Sequence, residues 1–258
     1  MPKRILVVDV GGTNVKVHLS GEEESLKIPS GRLLTPRRMI AKVLSATRGR
    51  SWAFDAVTIG VPAPVVAGKV ALEPANLGRG WTRFDFARAM GRPVRMVNDA
   101  AMQALGSYRG RGTMLFLGLG TGLGSSLVAD GAVVPLELAR LPYRQGELED
   151  YLGERALRRL GKARWRERVS ETLTVLRAAF IADEVVIGGG NARRLKSWPG
   201  WARPGSNALA MLGGERLWEE RPRAPARGAI APAGRSRALR SRRPRPRSGS
   251  SARRRPTD

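Results

Sequence analysis

Residues 4–16 read RILVVDVGGTNVK. Arg4–Val10 is an almost unbroken run of Ile, Leu and Val, which predicts a strand buried on both faces. Asp9 interrupts that run near its end. A carboxylate there costs stability unless it has a partner. Gly11-Gly12-Thr13 predicts a turn, and Asn14–Ser20 then alternates Val15, Val17 and Leu19 with polar residues. The alternation predicts a second strand, hairpinned to the first. His18 falls on its polar side and is expected at the surface. The turn suits a phosphate chain. Its glycines let backbone N–H groups approach phosphate oxygens. Thr13 offers a hydroxyl donor and Lys16 a point charge. Asp9 is a candidate Mg²⁺ ligand, acting through water because Mg²⁺ sheds its hydration reluctantly.

The same grammar returns about a hundred residues later. Thr113–Leu119 reads as a strand, Gly120–Gly124 as a glycine-rich turn and Ser125–Ala129 as another strand. The stretch from Leu117 to Ser125 is LGLGTGLGS. A dinucleotide fingerprint would open a helix with G-x-G-x-x-G, whereas here glycines alternate and a strand follows. Gly118, Gly120, Thr121 and Gly122 are candidates for a second phosphate loop, and two such turns can clamp one phosphate chain from opposite sides.

Between and after these units lie further elements. Thr35-Pro36 followed by RRMIAKVLSAT predicts a capped helix with Met39, Ile40, Val43 and Leu44 on one face. Ala56–Val61, Val94–Asn98 and Glu184–Ile187 read as strands. Asp99–Tyr108, Glu149–Leu160, Lys162–Phe180 and Asn207–Trp218 read as helices. The predicted fold class is α/β with two lobes around a cleft. Residues 1–110 would form the first lobe and 111–220 the second.

Asn98-Asp99 sits where a strand passes into a helix. Phosphoryl transfer needs positioning, charge stabilisation and a carboxylate to take the attacking hydroxyl's proton. Asp99 fits that role, and an ordinary helix N-cap is the alternative. Gly188-Gly189-Gly190, at a strand end, lets a flat ligand approach the backbone; a plain loop is the alternative.

Composition narrows the field. The chain has no cysteine and a single histidine, His18. Disulfide scaffolds, Cys-ligated metals and multi-His zinc sites are therefore excluded, and with one histidine a Ser-His-Asp triad is not expected. The apolar run before Asp9 is too short for a signal or a membrane span, so a cytoplasmic protein without a membrane partner is expected. Residues 221–258 contain thirteen Arg and one acid, Asp258, a net +12 that leaves +12 of the formal +24 on residues 1–220. With few bulky apolar residues, that tail is expected to be disordered. A nucleic-acid contact, if there is one, would be made through it. The basic body suits a polyanion, with Arg79, Arg83, Arg109, Arg111, Arg164, Arg166 and Arg168 as candidates for a track.

Taken in order, VVDVGGTNVKV, IGVPAPV, EPANLGRGW, VNDAAMQALG, MLFLGLGTGLGSSLV, VPLELARLPYR, VVIGGGNARRL and SNALAMLGGERLW resemble the ROK family of sugar kinases. The likeness is greatest to its polyphosphate- or ATP-using glucokinase branch, and runs from Leu6 to about Trp218. It implies an actin-like, ribonuclease H-like two-lobed fold. The implied activity is transfer of a phosphoryl group from polyphosphate or ATP to the glucose 6-hydroxyl, with Mg²⁺ and without zinc, and a homodimer is a candidate assembly. It assigns the metal to Asp9, the first phosphate loop to Gly11, Gly12, Thr13 and Lys16, and donor binding to Gly188, Gly189 and Gly190. It assigns the sugar to Asn76, Asn98, Asp99, Glu137 and Glu149, with Asp99 also the base. The family's His-and-Cys zinc motif is missing. The family's E-L-(G/A)-H reads Glu137-Leu138-Ala139-Arg140 here, so Arg140 stands where a sugar-contacting His is usual. Arg140 can donate to hydroxyls, pair with Glu137 or Glu149, block the pocket or turn outward. The competing reading is a non-catalytic sugar sensor or a polyanion- or nucleic-acid-binding protein. Repressor relatives carry a helix-turn-helix in front, and only eight residues precede Asp9.

Overall fold

The two strand–turn–strand units each grow into a five-stranded sheet. The computed structural model describes residues 2–219; the predicted tail, 221–258, lies outside the described residues. In the first sheet, β1 (Ile5–Val10), β2 (Asn14–Leu19) and β3 (Ser25–Pro29) form an antiparallel meander. After α1 (Pro36–Gly49), β4 (Ala56–Val61) lies parallel to β1. A small hairpin follows, β5 (Val65–Val66) with β6 (Lys69–Val70), and then α2 (Phe86–Met90). β7 (Val94–Asn98) completes the order β3-β2-β1-β4-β7 and passes straight into α3 (Asp99–Ser107).

The second sheet repeats this connectivity. β8 (Thr113–Leu119), β9 (Leu123–Ala129) and β10 (Ala132–Leu136) form its meander. A second hairpin, β11 (Pro142–Tyr143) with β12 (Gly146–Glu147), leads to α4 (Glu149–Leu152) and α5 (Glu154–Ala179). β13 (Glu184–Gly188) and β14 (Ala202–Pro204) then add in parallel, giving β10-β9-β8-β13-β14 before α6 (Leu209–Arg216). In both sheets the glycine turn joins the first two strands. The neighbouring parallel strand ends beside it, with Asp9 level with Gly60, Val61 level with Asn98, and Gly118 level with Gly188. Carboxyl ends of parallel strands are where α/β folds place ligands.

The unbroken apolar run of β1 is explained by cover on both faces. Leu6, Val8 and Val10 join the core that includes Met39, Ile40 and Val43 of α1. Ile5 and Val7 pack on the other face with Ala101 and Met102 of α3 and Ala210 and Met211 of α6. α1 starts as expected, with Thr35 Oγ1 accepting from Arg38 N at 3.4 Å and Pro36 in its first turn. α6 crosses back to the first sheet. Thr58, fully buried in β4, donates to Gly214 O at 2.7 Å and accepts from Trp218 Nε1 at 2.9 Å. His18 is not the surface residue expected. Its side chain is 14% exposed and lies 3.3 Å from Glu215, because α6 covers its part of the sheet.

The long helical stretch breaks at Gly161, between the expected Glu149–Leu160 and Lys162–Phe180, and once more at Gly153. Gly153 ends α4 and caps α5, and Gly161, at φ 75° and ψ 163°, is non-helical and separates two helical segments within α5. That backbone conformation is open to glycine and strained for other residues. Trp165 is core, its Nε1 donating to Leu152 O at 2.9 Å. Among the described residues no helix is long and apolar enough to cross a membrane.

Candidate active site

A cleft of about 480 Å³ opens where both glycine turns meet the start of α3. Gly11, Gly12 and Thr13 line one side, and Gly118, Gly120, Thr121 and Gly122 line the other. Asn76, Asn98, Asp99, Glu137 and Gly189 complete the predicted residues in its wall. Asp9, Lys16, Arg140, Glu149, Gly188 and Gly190 stand outside that lining. Asp9 and Lys16 lie on the first hairpin, opposite one another in register, with Nζ 3.9 Å from Oδ2. Gly188 is buried inside β13 against Phe116. Gly190 faces a neighbouring pocket that shares Gly189 with the cleft.

Asn98, and not Asp99, caps α3. Its Oδ1 accepts from Ala100 N at 2.9 Å and Ala101 N at 3.3 Å, while Nδ2 donates to Ala63 O at 3.2 Å. A neutral cap of this kind is worth about 1 kcal/mol to a helix, and Asp99 Oδ1 also accepts from Ala100 N, at 2.8 Å. Asp99 keeps some surface open to the cleft, although its carboxyl is enclosed by protein. Burial pushes its pKa up to about 7, and the negative charges of Asp9 and Glu137 add to that; backbone N–H bonds, including the one from Ala100, pull the other way. Burial also raises Asp9, against the pull of Lys16. Glu137 is raised by partial burial, opposed by Arg140 and reinforced by Glu149. Asp99 and Glu137, so perturbed in one cleft wall, are candidates for acid–base chemistry.

The second turn is braced from behind. Glu149 Oε2 accepts from Leu123 N at 3.0 Å, and a Cβ on Gly122 would come within 2.4 Å of that oxygen. Gly120 O accepts from Glu154 N at 3.1 Å and from Asn191 Nδ2 at 3.3 Å, and Asn191 Nδ2 also donates to Glu154 Oε2 at 2.6 Å. Gly189, at φ +81°, lets β13 turn against Leu119, whose carbonyl oxygen would lie 2.3 Å from an added Cβ. Gly189→Ala is therefore expected to lower stability by about 2–3 kcal/mol through backbone clash and positive φ. It should also weaken donor binding more than sugar binding; urea melts and the two KM values check this.

Arg140 turns outward. Its side chain is 72% exposed and donates from Nη1 to Glu147 Oε2 at 2.7 Å. Sequence reading did not single out Glu147, Gln103 or Glu73. Gln103 lies one turn beyond Asp99 on α3 and lines the cleft, its buried Oε1 without a partner among the described residues. The four-residue spacing from Asp99 was the available signal. Glu73 opens the loop that carries Asn76, accepting from Gly80 N at 2.9 Å, Trp81 N at 3.1 Å and Thr82 Oγ1 at 2.9 Å. Slight burial pushes this carboxyl up, but the bonds from Trp81, Thr82 and Gly80 outweigh it and leave the pKa low. Glu73→Ala is expected to raise the sugar KM by about five- to tenfold by loosening that loop, with kcat changed less. A KM increase in the donor instead would refute this.

The duplicated sheets and facing glycine turns define the actin-like ATPase fold. The structure of an inorganic polyphosphate/ATP-glucomannokinase from Arthrobacter sp. strain KM superposes with a TM-score of 0.71 at 23% identity, covering 84% of this chain and 99% of that one. A ROK family glucokinase from Streptomyces griseus, in complex with glucose and AMPPNP, gives a TM-score of 0.64 at 18% identity, covering 83% of this chain and 98% of that one. The family model described as ROK family matches residues 5–135, just over half of the chain. The chain belongs to the ROK family. The polyphosphate glucokinase of Mycobacterium tuberculosis (strain CDC 1551 / Oshkosh) is 24% identical over 212 residues, covering 74% of this chain and 79% of that protein.

Proposed function

We propose that the protein is a cytoplasmic hexose kinase, a glucokinase that moves a phosphoryl group from polyphosphate or ATP to the glucose 6-hydroxyl. The observation that carries this reading is Asp99. Its carboxyl lies in the cleft wall together with residues of both glycine turns, with a pKa of about 7. That value suits a base which takes a hydroxyl proton near neutral pH. Asn76, Asn98 and Glu137 line the same cleft and offer the amide and carboxylate groups that pair with sugar hydroxyls. In this reading the first and second turns hold the donor's phosphates through backbone N–H groups, and Lys16 adds positive charge. The division into lobes at about residue 110 belongs to the same proposal.

Asp9 and Asp99 fit a Mg²⁺ ion that keeps several waters and is held largely by donor phosphates. Asp9 is buried, and at 3.9 Å from Lys16 its oxygens are not committed to a short ion pair. Bound there, Mg²⁺ would neutralise charge on the transferring phosphoryl group. Asp99 removes the hydroxyl proton, the turns orient the phosphate, and the outward Arg140 leaves the sugar side open. The test is formation of glucose 6-phosphate by the purified full chain with Mg²⁺, comparing polyphosphate with ATP and glucose with mannose and N-acetylglucosamine. No transfer with any pair would refute the proposal.

A further inference from the structure

Beyond the cleft, two pockets follow one another along its far end. Gly189 lines both the cleft and a pocket of about 450 Å³ that also touches Gly190, Trp198 and Asn207. Arg193 lines that pocket and also a further groove of about 300 Å³. The groove's entire lining is Lys162, Arg166, Arg193 and Arg194. Four cations converging on one hollow repel one another unless anions enter. None of the four forms a salt bridge with a carboxylate among the described residues. Glu154 acts on Arg194 at longer range, from the side of the second turn, and Arg166 Nε donates to Arg194 O at 2.6 Å. That bond ties the Arg166 guanidinium to the backbone of Arg194, while Lys162 and Arg193 remain exposed.

We propose that this groove seats the distal phosphates of a linear polyphosphate donor whose reacting end lies between the two glycine turns. The direction of the chain rests on the kinase reading above; the anion site itself does not. Guanidinium groups match the paired oxygens of phosphate, and an array of them binds a chain of repeating charge better than a single carboxylate. In this arrangement a donor longer than a nucleoside triphosphate's three phosphates is the one expected to gain from the groove. Of the residues expected to form a basic track, Arg166 alone lines it. Arg109 pairs with Glu184 at 3.5 Å and Arg168 with Glu171 at 2.8 Å.

The test compares the full-length wild type with Lys162→Glu/Arg193→Glu and with Arg48→Glu, an exposed position on α1 far along the sequence. Equilibrium binding of a long polyphosphate and of tripolyphosphate is measured without sugar, at several salt concentrations. The arginine-rich tail is common to all three proteins, so differences between them report the groove. The double variant is expected to lose at least about tenfold in affinity for the long chain, with a shallower salt dependence. Its loss for tripolyphosphate should be smaller, and Arg48→Glu should stay within about twofold of wild type for both. Equal losses in both variants, or no loss in either, would overturn the proposal. So would displacement of the long polyphosphate by a single-stranded oligonucleotide at lower phosphate concentration. If the double variant loses binding yet no protein transfers phosphate to any hexose, the groove stands and the kinase reading falls.

Discussion

Asp99→Asn is expected to lower kcat by about 10²–10⁴-fold and, above pH 7, to raise the melting temperature. Both effects have one origin. The carboxyl's pKa is about 7 in the folded chain, against an ordinary value of 3.8. Between those values the folded state keeps a proton that the unfolded chain has released. Stability therefore falls as pH rises through that window, and the whole cost is present above the folded pKa. Asparagine has the shape of the protonated acid without a charge to bury, so it removes the cost together with the base. Wild-type kcat/KM should rise through pH 7 as Asp99 ionises. Thermal melts at pH 5 and pH 8 should show the variant's advantage only shrinking toward acid. A variant that retained turnover would remove Asp99 from the chemistry. A melting advantage equal at both pH values would mean that charge burial is not its cause.

Gly213→Ala is expected to destabilise the chain by about 3 kcal/mol or more, a large share of a typical domain's stability. α3 and α6 cross at glycines. An added Cβ on Gly213 would lie 1.8 Å from Met102 O, and one on Gly106 would lie 1.8 Å from Leu209 O. The obstacle is backbone on both sides, so rotamer changes cannot relieve it and the helices must separate. α3 begins with Asp99, so the separation should lower activity even at temperatures where the variant stays folded. Gly200→Ala is the control, because an added Cβ there meets nothing within 4 Å and φ is not positive. Denaturant melts and initial rates read both effects. Equal midpoints for the two variants would show that the crossing tolerates a methyl group.

The interior of this fold was legible because its strands obey simple patterning. Val7 and Val8 pack on opposite faces of a covered sheet, and Val15, Val17 and Leu19 alternate along β2. Within the two five-stranded sheets, the strands absent from the reading were β3, β10 and β14, all outer strands, each containing a proline: Pro29, Pro135 and Pro204. Proline belongs at sheet edges, yet it weakens the sequence signal of a strand. The break expected at Gly161 is present, and the reading missed only the second one, at Gly153, where α4 ends. In the site, motif glycines were readable from their clustering between strands. Glu73, Gln103 and Glu147 were not, because each acts on a segment that only the folded chain brings near. The same limit applied to Arg140: its identity was plain in the sequence, and its turn toward Glu147 was not.

The return of α6 to the first sheet sets an order of events during synthesis. Ile5, Val7 and Ala56 are among the earliest core residues made, yet part of their cover, Ala210 and Met211, comes more than 150 residues after Ala56. Until then one face of the first sheet is left without that helix. The nascent chain must carry an apolar face through most of its elongation, a period in which chaperones have something to hold. The hydrogen bond from Thr58 to Gly214, spanning 156 residues, forms only when that wait ends. Folding of the two halves is thereby fastened into a single late step, whose loop-closure entropy makes it slow.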